Sequence, residues 1–233
     1  PAVSIDYADF DSVSIGVNVL TANNVATTRC GFRVGYGAGG AYVPAGWSCY
    51  QNIGILTQNT NLFRIDENNF KGNQVHGTDW YNYGTVAVNT GEQWKSIYRC
   101  TYDSLDHGIY TIGKNHFSDR GDWTTWNGLL VQCNTFLADD TDIAVSRGTG
   151  LFEQGIYPFQ PPTSGHAAGN TFTGGTADVV NRADNVSYWF YISGPSRENP
   201  YPATPTTKWS FGSAAIKTCP THFDGLPEII GLG

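Results

Sequence analysis

Gly128-Leu129-Leu130-Val131-Gln132-Cys133-Asn134-Thr135-Phe136, followed by Asp142-Ile143-Ala144-Val145, holds the pattern on which the fold turns. An apolar run led by glycine gives way to an Asn-x-Phe triplet. Seven residues after the phenylalanine, an alternating run starts again. The triplet recurs at Asn68-Asn69-Phe70, Asn115-His116-Phe117 and Asn170-Thr171-Phe172, with a looser copy at Ala8-Asp9-Phe10. Runs led by Gly or Asp recur at Gly16-Val17-Asn18-Val19, Gly54-Ile55-Leu56, Gly84-Thr85-Val86-Ala87-Val88, Gly108-Ile109-Tyr110-Thr111-Ile112 and Asp178-Val179-Val180. The two patterns are phased, because Phe10 to Val17, Tyr102 to Ile109, Phe136 to Ile143 and Phe172 to Val179 share one offset.

Alternation such as Val86 and Val88 places one set of side chains on one strand face. Strands this short cannot bury a face alone, whereas coils stacked on one another can. The reading is an all-β, right-handed parallel β-helix, a solenoid with loops inserted on its flank and an irregular C-terminal segment. Apolar side chains fill its axis and the phenylalanines stack from coil to coil. Asn amides at a corner form a ladder that satisfies itself. Insertions are expected at Gly31 to Trp47, Lys71 to Tyr83, Ser118 to Asn127 and Arg147 to Gly165. The competing architecture is a β-sandwich or jelly roll, which does not require the shared spacing. Coils are expected over 1–192. Beyond them, Pro195, Pro200, Pro202 and Pro205 mark a cap or linker over 193–233, with a last strand near Trp209 to Ile216.

Composition narrows the function. Charged residues are 14% of the chain, against roughly 25% in ordinary domains. Lys plus Arg is 13 and Asp plus Glu is 20, so the net charge is −7 and no basic stripe for nucleic acid exists. The longest apolar runs, Gly128 to Val131 and Tyr188 to Ile192, fall far below the roughly 20 residues of a membrane span. The chain begins at Pro1 and lacks methionine, from which a removed leader or a segment of a longer protein is expected. Acidity, few lysines and many Asn, Thr and Tyr point to an extracellular setting. Five cysteines include no CxxC pair, which argues against structural zinc. Cys30 and Cys49 flank a Gly-rich excursion and are the candidate disulfide.

The quoted stretch, with Gln154-Gly155 and Ala168-Gly-Asn-Thr-Phe172, resembles the right-handed β-helix regions of large surface proteins exported by the type IX secretion pathway. The Cys219-Pro220 dipeptide after a Pro-rich stretch belongs to the same resemblance. It implies a cell-surface or appendage role, with partners in a larger assembly, and no catalytic residues.

Three candidate chemistries follow. Trp80, Tyr81 and Tyr83 in one insertion, and Trp123 and Trp126 in another, are flat rings beside Asp and Asn, suited to glycans or to partner chains. Asp139, Asp140 and Asp142 form an acidic run that could take calcium, although it lacks the spacing of an EF-hand. The same aspartates, with Asp106-His107-Gly108, loosely resemble segments of pectin-degrading β-helix hydrolases, but in the reversed order. The expectation is therefore a rigid structural or adhesive module, without catalytic residues. A polysaccharide-degrading hydrolase or lyase is the alternative.

Overall fold

The computed structural model describes residues 3–35, 50–73, 80–91, 93–117, 127–148, 155–162, 166–192, 197–201, 209–214 and 219–220. They form a parallel β-solenoid with three walls. The first wall stacks β1 (Val3–Asp6), β4 (Val25–Thr28), β7 (Phe63–Asp66), β10 (Lys95–Tyr98) and β14 (Asn127–Gln132). The second stacks β2 (Asp9–Val13), β5 (Gly31–Val34), β8 (Asn69–Gly72), β11 (Thr101–Asp103), β15 (Thr135–Leu137) and β18 (Thr171–Thr173). The third stacks β3 (Ile15–Leu20), β6 (Tyr50–Gln58), β9 (Trp80–Val88), β12 (His107–Ile112), β16 (Thr141–Ser146) and β19 (Ala177–Asn181). Every pairing within these stacks is parallel. That excludes a sandwich of antiparallel layers.

The phased motif is the internal register. Phe10, Phe32, Phe70, Tyr102, Phe136 and Phe172 pair one above another on the second wall. Their rings stack nearly parallel at centroid separations of 4.7, 4.9, 4.9, 5.1 and 5.5 Å. Val17, Ile55, Thr85, Ile109, Ile143 and Val179 form the facing ladder on the third wall. The glycine before each early member is a steric requirement. A Cβ on Gly84 would lie 2.5 Å from the Tyr102 ring of the next coil. Asp142 stands at the equivalent position before Ile143, and there the rings reach their widest spacing.

The corner before each ring works differently from the expected amide-on-amide ladder. Asn68 Oδ1 accepts from Cys30 N–H, and its Nδ2 donates to the Thr27 carbonyl of the coil below. Asn134 does the same with Cys100 N–H and the Ile97 carbonyl. Among the described corners of this wall, Asn134 and Asn170 also bond amide to amide, with Asn134 Nδ2 donating to Asn170 Oδ1. Cys30 and Cys100 fill the same corner in the intervening coils. Their thiols donate to the carbonyls of Ile5 and Ile65, and Cys30 Sγ accepts from Ala8 N–H. The residues directly before these corner positions, Tyr7, Arg29, Glu67, Arg99 and Cys133, all turn the chain at positive φ.

Two expectations need correction here. Asn115-His116-Phe117 is no coil of the ring stack. It enters β13 (His116–Phe117), which pairs antiparallel with β14, and Asn115 Oδ1 instead accepts from Thr90 at another corner. Two of the expected insertions begin too early, since Gly31–Val34 and Lys71–Gly72 belong to wall strands, and the second also ends too late, since β9 starts at Trp80.

The C-terminal coil is covered. β17 (Phe159–Gln160), β20 (Val186–Tyr191) and β21 (Trp209–Ala214) form a separate parallel sheet, with β21 at the expected last strand. Phe172 N–H donates to Arg197 O, and Asp178 N–H to Tyr201 O, so residues 197–201 occupy the edge of β18 and β19. A disulfide joins Cys133 to Cys219, and the Tyr98 hydroxyl donates to Pro220 O.

Candidate functional site

The aromatic candidates converge only in part. Tyr81 and Tyr83 belong to the outer cluster with Ile53, Leu56 and Val86, whereas Thr85 meets Tyr102 inside the coil stack. On that outer face Tyr83 lies 5.0 Å from the His107 ring and 5.4 Å from Tyr110, and His107 lies 5.2 Å from Tyr110. Tyr81 sits 6.3 Å from both Tyr83 and His107. Ile53, Leu56 and Val86 pack beneath them. Tyr83 is only 5% exposed and is a packing residue, whereas Tyr81 and Tyr110 are half-buried. Burial, with the Arg182 charge second, lowers the His107 pKa to about 4, so the imidazole is neutral at pH 7. Trp80 opens β9. Trp123 and Trp126 lie outside the described residues.

The acidic run does not form a cation cage. Asp139 and Asp142 are 0% and 1% exposed, while Asp140 faces solvent. Asp139 Oδ1 accepts from Leu105 N–H, a corner bond like those of the asparagines. Burial first, and neighbouring carboxylates after it, push Asp139 up to about 8 and Asp142 to about 9. Burial thus favours the protonated form of both carboxyls. Asp142 neighbours Asp178, and Asp178 holds the cap through Arg197 Nη2 at 2.8 Å and Tyr201 N–H. Among the described residues, no group of three or more His, Cys, Asp and Glu is arranged to hold a metal ion.

The Cys30–Cys49 expectation lies partly outside the described residues. Cys30 is a free, buried thiol held at its corner by backbone bonds, and Cys49 lies outside the described residues. The bond that forms, Cys133–Cys219, spans 86 residues of sequence. The local pattern carried no signal for it beyond the two cysteines themselves.

Two surface features escaped the sequence reading. A cleft of about 170 Å³ on the first wall is lined by Ser4, Asp6, Thr28, Arg29, Arg64, Asp66 and Glu67. There Glu67 bridges Arg29 at 3.1 Å and Arg99 at 3.7 Å, across successive coils. Asp66 lies 3.7 Å from Arg64, yet burial outweighs that cation and raises Asp66 to about 6. A second cleft, of about 360 Å³, includes Asp9, Phe10, Asp11, Arg33 and Lys71 near the first coil. In both, opposite charges pair along the stack, which is how a solenoid satisfies neighbouring coils.

Comparison of the chain with protein-family models, with curated proteins and with solved structures finds no match.

Proposed function

We propose that this chain is a rigid structural or adhesive module of an extracellular or cell-surface assembly. The observation that supports this reading is the unbroken stack from Phe10 to Phe172, flanked by corner bonds in every coil. Continuous ladders resist bending and local opening, because each coil's contacts depend on both neighbours. The buried titratable groups serve this packing: Asp139 caps a corner, His107 stacks between tyrosines, and Asp178 anchors the cap. An intact disulfide fits an oxidising compartment. The coil pattern resembling type IX-exported surface proteins points the same way. In this proposal the aromatic side chains around Trp80, Tyr81, Trp123 and Trp126 contact glycans or partner chains.

Two measurements test it. Incubation with a panel of acidic polysaccharides should release no reducing ends or unsaturated products. Sustained turnover would overturn the reading in favour of a β-helix hydrolase or lyase. Native-state hydrogen exchange should show amides of β4 through β16 opening together, and independently opening coils would contradict rigidity.

A further inference from the structure

The third wall carries a glycine ladder that changes identity at one end. Register aligns Gly16, Gly54, Gly84, Gly108, Asp142 and Asp178 as successive rungs. A Cβ on any of the four glycines would meet a ring of the second wall at 2.5–2.8 Å. The last two rungs hold carboxyls instead. Asp142 is 1% exposed and Asp178 is 2% exposed. The described ring stack ends at Phe172, and there residues 197–201 lie along the edge, taking the Phe172 and Asp178 amides.

These two adjacent, buried carboxyls have one cation between them. Asp178 Oδ1 accepts from Arg197 Nη2 at 2.8 Å, and its Oδ2 accepts from Tyr201 N–H, so both oxygens are committed to the cap. Asp142 sits against Asp178, and neither of its buried oxygens has a hydrogen-bond donor among the described residues. The surrounding groups do not supply one. On β12 the neighbouring rung is Gly108, which brings no charge. Asp139, at the corner before β16, adds a third carboxyl, itself neighboured by Asp103, Asp106 and Asp140. Glu198 of the cap is buried and accepts from Tyr191 N–H, and the Tyr188 hydroxyl takes the Asn170 amide. A single proton on Asp142, donated to Asp178, provides the missing donor and removes one of the two charges.

We infer that the cap over β18 and β19 is a proton-held latch, seated while Asp142 and Asp178 share a proton and lifting as that proton leaves to solvent. Lifting hydrates both carboxyls and returns them to the ordinary carboxylate range. The seated form therefore binds one proton more than the lifted form, and rising pH favours lifting by up to about tenfold per unit. Burial, which raises both Asp142 and Asp178, acts in the same direction. The latch opens one end of the solenoid without unfolding its middle, because only the outermost strands lose backbone partners. It is indifferent to what the module joins.

Amide exchange of the whole chain, expressed as protection relative to the unstructured rate at each pH, tests this. From about pH 5 to about pH 8 the Phe172, Asp178 and Tyr201 amides should lose protection by about tenfold per unit, and remain less protected than those of β9 and β12 throughout. Asp142→Asn places a permanent donor against Asp178, so its cap amides should hold their pH 5 protection across the range. Arg197→Gln should strip protection from the same amides at every pH and leave β9 and β12 protected. An unchanged slope in Asp142→Asn would overturn the inference. So would equal protection of cap and β12 amides at every pH, which would leave global unfolding as the sole opening. Calcium restoring cap protection at pH 8 would also overturn it, by putting a cation where the latch puts a proton. Should Asp142→Asn fail to fold, the pH series of the unaltered chain and of Arg197→Gln decides alone.

Discussion

The side-chain oxygens of Thr85 and Tyr102 lie 3.0 Å apart within the coil stack, and both residues are fully buried. Thr85 is the polar member of an otherwise aliphatic ladder, and Tyr102 the hydroxylated member of an otherwise phenylalanine stack. Each hydroxyl answers the other. Removing one strands its partner away from water, which costs about 1–3 kcal/mol, whereas removing both is close to neutral. Tyr102→Phe and Thr85→Val should each lower unfolding free energy in denaturant titrations, and the double variant should recover most of the loss. Additive losses would refute the coupling.

Cys30 and Cys100 occupy corners that Asn68, Asn134 and Asn170 occupy in other coils, with the same downward carbonyl bonds. Burial pushes the Cys100 thiol up to about 12, so it is a packing group and not a nucleophile. Cys100→Asn should therefore fold with unchanged or higher stability. Cys100→Ala, which leaves the Ile65 carbonyl without its donor, should lose about 1–2 kcal/mol. Thermal melts of the pair decide it. A Cys100→Asn variant less stable than Cys100→Ala would show the corner is not equivalent.

That equivalence also explains what the sequence disclosed. The Asn-x-Phe spelling and its offset exposed Phe10, Phe70, Tyr102, Phe136 and Phe172, because stacking imposes a side-chain period that survives as text. Phe32 was hidden, since Cys30-Gly31-Phe32 uses a thiol for the amide. Asn115-His116-Phe117 misled, since Asn caps more than one kind of corner. The buried state of Asp139 and Asp142 was invisible, because a carboxyl held protonated by burial and one at a hydrated turn are spelled alike. Glu67 bridging Arg29 and Arg99, and Cys219 reaching Cys133, depend on how coils align across long separations. Local periodicity does not record that alignment.

The disulfide and the 197–201 segment together close one end of the solenoid. Cys133→Ser with Cys219→Ser should lower stability by about 2–4 kcal/mol, given the long loop the bond encloses. The first amides to gain exchange should be those of β18 and β19, and the core of β6–β12 should change last. Uniform acceleration would mean that the bond acts on the unfolded chain alone.

Asp139 and Asp142 set a pH dependence opposite to that of a protein held by ionised carboxylates. Their folded pKa values, about 8 and about 9, lie above the ordinary value near 3.9 of the unfolded chain. Below about pH 4 both states hold these protons and the contribution to stability is complete. As pH rises the unfolded chain ionises first, so stability falls by up to about 1.4 kcal/mol per unit and per group until the folded pKa is passed. Asp66, at about 6, adds to the lower part of this window. The chain should therefore melt at a higher temperature at pH 5 than at pH 8.5. Asp142→Asn and Asp139→Asn, neutral at every pH, should flatten that slope. A melting temperature that rises from pH 5 to 8.5, or a slope unchanged in the double variant, would show that these two side chains are ionised in the fold.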